Sequence, residues 1–400
     1  MTDTTLISLV FVLAAAAAAP ILADLLARWV PVPGVVVELV AGVVIGPALG
    51  WVKVDDVVEF LSQLGLAMLM FLAGFEIDLP RIAGSPLRRA IGGWAVSLVL
   101  GVAVGVALSG VDGPRSGLIV GLALTTTALG TLLPILRDSG SLDSPFGTHV
   151  LAGATVGEIG PIVAITLLLG TDRPARSAVV LVVFVLVVLA VAALALRGRT
   201  ERLARLLEST LATSGQLAVR VVVLLLGAMV LLASELGLDI LLGAFAAGMV
   251  FRLFSAGSSE REAELIEVKL QGLGFGFLIP VFFVVSGVQF DLDAVVDDPL
   301  LLAVVPVILA LFLVVRGGPT ALLQRGMPAR ERVALAGYLG TALPLVVVVT
   351  TIGVETDRLK SSTAAALVTA ALASVLVFPL VAARLARERA GSQPGLDGSE

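Results

Sequence analysis

Residues 121–170 read GLALTTTALGTLLPILRDSGSLDSPFGTHVLAGATVGEIGPIVAITLLLG. The stretch holds parts of two apolar segments, 115–137 and 147–169, each long enough to cross about 30 Å of hydrocarbon. The first is interrupted by Thr125, Thr126 and Thr127, followed by Gly130 and Pro134. The second carries Glu158 near its midpoint, in Val156-Gly157-Glu158-Ile159-Gly160-Pro161. A carboxylate at bilayer depth is costly and marks a functional site by default. A polar, interrupted neighbour is the usual way to expose backbone groups to an ion inside a membrane. The rest of the chain reads as the scaffold that carries this pair.

Composition supports a membrane setting. Of 400 residues, 58% are hydrophobic and only 14% are charged, against about 25% charged in soluble domains. The mean hydropathy is +1.08. There is no cysteine, which excludes disulfides, thiolate zinc sites and cysteine nucleophiles. The single histidine, His149, excludes a histidine-built metal or haem centre. No nucleophile–base pair or metal cluster stands out, so neither an enzyme nor a cofactor is expected, and no nucleic-acid partner either. Leu6 to Ala19 has the length and Ala content of a secretory h-region, but its flank holds Asp3 and no Lys or Arg. It reads as the start of a first membrane helix.

Spanning segments fall at 5–28, 35–51, 57–76, 86–110, 115–137, 147–169, 175–197, 214–235, 238–254, 268–290, 299–323, 330–354 and 361–384. The expectation is an all-α polytopic membrane protein of about thirteen transmembrane helices over residues 1–390, with residues 391–400 as a polar, disordered cytoplasmic tail. Of 26 Lys and Arg, 18 fall in one set of alternating loops, including Arg81, Arg88, Arg89, Arg199, Arg202 and Arg205, and 6 in the other. That bias places the N-terminus outside and the C-terminus in the cytoplasm, with the protein multi-pass in the inner (plasma) membrane.

Two segments break in matching ways. The fifth has its threonines, Gly130 and Pro134; the twelfth has Gly340-Thr341-Ala342-Leu343-Pro344. They lie seven segments apart and run in opposite directions. Two crossed discontinuous helices, one in each half and facing opposite ways, are the mark of an inverted-repeat secondary transporter.

Several motifs carry a resemblance. Pro33-Gly34 leads into Glu38-Leu-Val-Ala-Gly-Val-Val-Ile-Gly-Pro47. Leu64-Gly-Leu-Ala-Met-Leu-Met-Phe-Leu-Ala-Gly-Phe-Glu76-Ile-Asp78 follows. Later come Leu236-Gly-Leu238, Leu242-Gly-Ala-Phe-Ala-Ala-Gly248 and Pro280-Val-Phe-Phe-Val-Val-Ser286-Gly-Val-Gln289. In this order they resemble the bacterial monovalent cation:proton antiporters of the second family, relatives of the sodium/proton antiporters. The resemblance runs from about Leu6 to Leu385. It implies an antiporter fold, a homodimer, and a mobile ion-carrying bundle beside a separate dimerisation bundle. It also implies a polar residue followed by an aspartate in the sixth segment, where this chain has Gly157 and Glu158, and a basic residue before the second broken helix, which Arg316 supplies. The family often places a charge near the second break; here only Thr341 and Pro344 stand there.

The chemistry of Glu158 follows from its depth. Desolvation penalises the bare charge, so the group calls for a proton or a cation. If Na⁺, K⁺ or Li⁺ competes with H⁺ for one carboxylate, and only the loaded protein turns to face the other side, exchange is obligatory, electroneutral and one for one. Hard cations want oxygen ligands. Glu158 offers its carboxylate as the metal-binding group, Thr155 and Thr125–Thr127 offer hydroxyls, and the opened backbone offers carbonyls. Pro161 has no N–H and leaves the Gly157 carbonyl without its helical partner. Arg316 is the expected charge partner of the empty carboxylate.

Structural readings stand beside these. Glu158 could make a helix–helix hydrogen bond. Arg316 could be a brace, or could snorkel to the cytoplasmic side. The threonines could be small-residue packing. Arg220 is expected to snorkel. Glu38, Glu76 and Asp78 are expected at the interface, with Glu38 as a candidate for an entry funnel. Ser286 and Gln289 are candidates for lining the opposing face. His149 has the range of a pH sensor or is inert. At the level of function, the alternatives are a sodium-coupled symporter of an organic solute and a non-transporting sensor derived from an antiporter.

Overall fold

In hydrocarbon a backbone must satisfy its own N–H and C=O groups, and uncharged runs of Leu, Val and Ala do so as helices. The computed structural model describes residues 3–28, 32–77, 79–112, 114–138, 141–168, 174–197, 216–255, 260–297 and 299–387. All regular structure among the described residues is helical. Nine of these helices are long and apolar enough to cross a membrane, from Thr4–Leu26 to Ser361–Ala386. Shorter apolar helices cover Gly34–Ala48, Ala178–Leu194 and Ile240–Ser255. Pro114–Ala123 and Leu129–Asp138 form one interrupted pair, and Ala329–Gly340 and Pro344–Glu355 the other. Each expected spanning segment thus corresponds to a helix or an interrupted helix. The expected tail at 391–400, Asp78, and the loop arginines Arg199, Arg202 and Arg205 lie outside the described residues.

The chain divides into two compact units. The first comprises Met1–Asp78 and Ile162–Phe290; the second comprises Leu79–Pro161 and Asp291–Glu400. Within the first, the motif glycines are points of backbone contact. A Cβ on Gly42 would lie 2.0 Å from the Val284 carbonyl oxygen, and one on Gly287 would lie 2.1 Å from that of Leu39. Small residues allow such approach where lipid gives helices no hydrophobic reason to associate. Glu38 is buried on this packed helix, with 9% of its surface exposed. Ser286 and Gln289 also belong to this unit. Ser286 donates to its own helix at Phe282 O, 2.8 Å away, and Gln289 donates to Glu59 at 2.9 Å. Arg220 is exposed, as snorkelling requires.

The second unit is built around an apolar cluster. Leu132 and Leu136 follow the first break, Val150 and Ala154 lead to Glu158, and Leu335 and Leu339 approach the second break; all pack together with Ala382. Both broken helices and the Glu158 helix are therefore held by one core.

Among the described residues, three helices contain a π-helical turn, at Val44–Ala48, Gly274–Leu278 and Phe312–Gly317. Each has a proline within it or just after it: Pro47, Pro280 and Pro319. Proline lacks an N–H and crowds the carbonyl four residues earlier, so the ordinary ladder cannot close there. In the first turn the Leu49 N–H reaches back five residues to Val44 O, at 3.1 Å. The third turn contains Arg316.

Candidate functional site

The first interruption begins where the helix Pro114–Ala123 ends. The threonine hydroxyls there substitute for missing helical partners. Thr125 donates to Leu122 O at 2.8 Å, and Thr126 donates to Ala123 O at 2.9 Å. Short polar side chains compete for backbone groups in this way and favour an open chain over a continued helix. Having given away their protons, both hydroxyls keep lone pairs, the part a hard cation uses.

Thr127 serves a different purpose. Its N–H donates to Gly157 O at 3.0 Å. That is the carbonyl deprived of its helical partner by Pro161, and the structure uses it to anchor the first break beside Glu158. The Thr127 hydroxyl donates to Leu339 O at 2.8 Å and accepts from Arg316 Nε at 2.7 Å. The next residue, Ala128, donates its N–H to Thr341 O at 2.9 Å. The two interruptions are therefore hydrogen-bonded directly to each other and to the Glu158 helix.

The second interruption covers Thr341, Ala342 and Leu343 before the helix resumes at Pro344. Thr341 donates its hydroxyl back to Gly337 O at 3.1 Å. The Ala342 N–H donates to Ser374 Oγ at 3.0 Å, and that hydroxyl has the Ala342 and Ala371 carbonyls as acceptors at 3.0 and 2.7 Å. Ser374 did not emerge from the sequence reading. The signal was one of several hydroxyls in the helix Ser361–Arg387, a weak one because serine is unremarkable in packed membrane helices.

Arg316 is fully buried, which excludes snorkelling. It donates through Nε to Thr127 Oγ1, through one terminal nitrogen to Thr320 Oγ1 at 3.3 Å, and through the other to Gly153 O. Gly153 lies one turn before Gly157 on the Glu158 helix. These bonds join the Glu158 helix, the first break and the helix of Arg316 itself. Gly153 and Thr320 were missed, the first because a carbonyl leaves no trace in sequence. The Gly157 position is filled from outside: a Cβ there would lie 2.4 Å from an Arg316 terminal nitrogen and 2.5 Å from Thr127 Oγ1.

Glu158 and Thr155 are each 4% exposed, and Thr125, Thr126, Thr127, Thr341 and Pro344 are all buried. Every residue singled out for ion binding is therefore buried and belongs to the second unit. Those brought into direct contact are Thr127, Gly157, Arg316 and the second break. His149 is apart from them, with Nδ1 2.7 Å from Pro145 O in the first turn of its own helix.

The sequence matches the pattern of the family described as sodium/hydrogen exchanger, transmembrane, over residues 13–388. The chain belongs to the sodium/hydrogen exchanger family. Among relatives, it is 28% identical over 403 residues to the putative Na(+)/H(+) antiporter YjbQ of Bacillus subtilis, covering 95% of this chain and 63% of that protein. It is 27% identical over 351 residues to the Na(+)/H(+)-K(+) antiporter GerN of Bacillus cereus, covering 80% of this chain and 87% of GerN. Its fold is similar to that of the sodium proton antiporter MjNhaP1 of Methanocaldococcus jannaschii, with a TM-score of 0.67 at 15% identity, covering 97% of this chain and 99% of that one. The antiporter fold expected from the crossed interruptions is therefore present. The exchanger family is one of membrane transporters, so the protein is a multi-pass membrane protein.

Proposed function

We propose that this exchanger moves a monovalent cation, Na⁺ or K⁺ (Li⁺ a further candidate), in one direction and a proton in the other. Exchange is electroneutral, with alternating access around Glu158. The observation that carries the reading is the hydrogen-bonded crossing of the two interruptions at the Gly157 carbonyl, next to Glu158. A cation there finds the Glu158 carboxylate, the hydroxyls of Thr125, Thr126, Thr127 and Thr155, and carbonyls released from two helices. A proton on the carboxylate excludes the cation, so the two loads compete for one negative charge. Arg316 neutralises the empty site and holds its parts together. The second unit would be the ion-carrying bundle and the first the homodimer-forming one, in the inner membrane with the N-terminus outside and the C-terminus in the cytoplasm. The names of YjbQ, GerN and MjNhaP1 support the ion class.

The test is proton movement in proteoliposomes holding a pH gradient, with Na⁺, K⁺ or Li⁺ added in turn. Cation-triggered proton flux is expected in the wild type, unaffected by an imposed voltage and abolished in Glu158→Gln. Flux that survives in Glu158→Gln would move the site elsewhere, and voltage-dependent flux would overturn one-for-one exchange.

A further inference from the structure

We propose that Gly157 sets the cation affinity of the exchange site: having no side chain, it forms the slot in which the Arg316 guanidinium lies. The inference rests on the exchange reading above.

The slot is tight on more than one side. A Cβ at residue 157 would meet one Arg316 terminal nitrogen at 2.4 Å, Thr127 Oγ1 at 2.5 Å and Arg316 Nε at 2.7 Å. All three are well inside carbon–heteroatom contact. The guanidinium is fixed in this position by its bonds to Gly153, Thr127 and Thr320. Thr320 is itself pressed against a second glycine, since a Cβ on Gly93 would lie 2.3 Å from its hydroxyl and 2.7 Å from its Cα. Two glycines on two helices thus frame the Arg316–Thr320 pair.

The consequence concerns charge. Where a polar side chain would stand beside Glu158, this chain places a permanent cation. An arriving metal ion must bind against that like charge, so residue 157 sets cation affinity without touching the ion. A methyl group at 157 forces the guanidinium back by about 1 Å. For unit charges about 5 Å apart in an effective dielectric of about 20, that displacement is worth about a two- to threefold change in affinity.

The experiment uses the full chain in two settings. In proteoliposomes, Gly157→Ala is expected to lower the apparent KM for the transported cation about two- to threefold. A purely structural glycine would lower the yield of folded protein and leave KM unmoved, and an unmoved KM overturns the proposal. In detergent, unfolding is measured for wild type, Gly157→Ala, Arg316→Ala and the double variant. The slot predicts that the alanine destabilises the protein more while Arg316 is present than once the arginine is gone, where the contact with Thr127 Oγ1 remains. Additive costs refute the slot, whatever the transport data. If Gly157→Ala fails to fold, recovery of folding in the double variant supports the slot, and failure both there and in a triple variant that adds Thr127→Ala refutes it. A wild type without cation-driven proton movement defeats the exchange reading and the affinity role with it, while the unfolding cycle still judges the slot.

Discussion

Three consecutive threonines of the same depth should tolerate the loss of a hydroxyl very differently. Thr125, Thr126 and Thr127 are all buried, and Thr→Val keeps the shape and the β-branched preference for extended backbone. At Thr125 and Thr126 the hydroxyl donates to a carbonyl that already accepts a backbone N–H, Leu122 O from Thr125 and Ala123 O from Thr126. Losing it strands nothing, and each substitution is expected to cost about 1 kcal/mol or less. At Thr127 the hydroxyl connects Leu339 O to Arg316 Nε. A neutral hydrogen bond contributes about 1 kcal/mol, and a buried charged donor left without its acceptor costs about 1.5–3 kcal/mol more. Thr127→Val should therefore lose roughly 2.5–4 kcal/mol, with Thr127→Ser, which keeps the hydroxyl, close to wild type. The assay is reversible denaturant unfolding in mild detergent, with cation-driven proton flux measured on the same preparations. Equal losses for the three valine variants would refute the idea that Thr127 alone joins the two interruptions to Arg316.

Ser374→Ala leaves the buried Ala342 N–H without its acceptor, so the same unfolding assay should record a loss of about 1–3 kcal/mol and transport should slow. Asp55 caps the helix Asp56–Phe75, accepting from the Val57 and Val58 N–H groups at 3.2 and 3.1 Å and from the Thr5 hydroxyl. The Thr5 hydroxyl first, and then the Val58 amide, hold its carboxyl below the usual 3.8. Its contribution is therefore complete above pH 3.8 and is lost as pH falls through the lower native value. Asp55→Asn should flatten the acid limb of a stability-against-pH curve; an unchanged limb would show that the cap does not hold the helix end.

How much of this was legible in the sequence depended on the range of the interaction. Spans are local, because some twenty apolar residues in succession announce themselves. Both interruptions were readable for the same reason: hydroxyls and proline weaken a helix where they stand. Glu158 declared itself by the cost of its location. The partners of Arg316 were not legible, because pairing it with Gly153 and Thr127 requires three distant segments to meet. The emptiness of Gly157 looked like a lost polar group and proved to be space for an arginine. Pro161 predicted a freed carbonyl correctly, but only the fold revealed that Thr127 takes it. The π-helical turn that carries Arg316 is followed by Gly318-Pro319, and a proline also stands in or just after the other two turns, at Pro47 and Pro280. Proline was read as opening the helix at Pro134 and Pro344; at Pro47, Pro280 and Pro319 it accompanies a widened turn that the helix survives.

The crossing of the interruptions also sets the electrostatic background. Each broken helix brings one C-terminal end and one N-terminal end to the same place: Ala123 and Leu129 on one chain segment, Gly340 and Pro344 on the other. A helix end carries about half an elementary charge, negative at the C-terminus and positive at the N-terminus. Two of each sum to nearly nothing. The backbone thus gathers oriented dipoles around the crossing without giving it a net charge. Among the described buried residues of that unit, the carboxyl and guanidinium side chains are those of Glu158 and Arg316. On the exchange proposed above, any change in the charge around the crossing is then set by what binds one carboxylate.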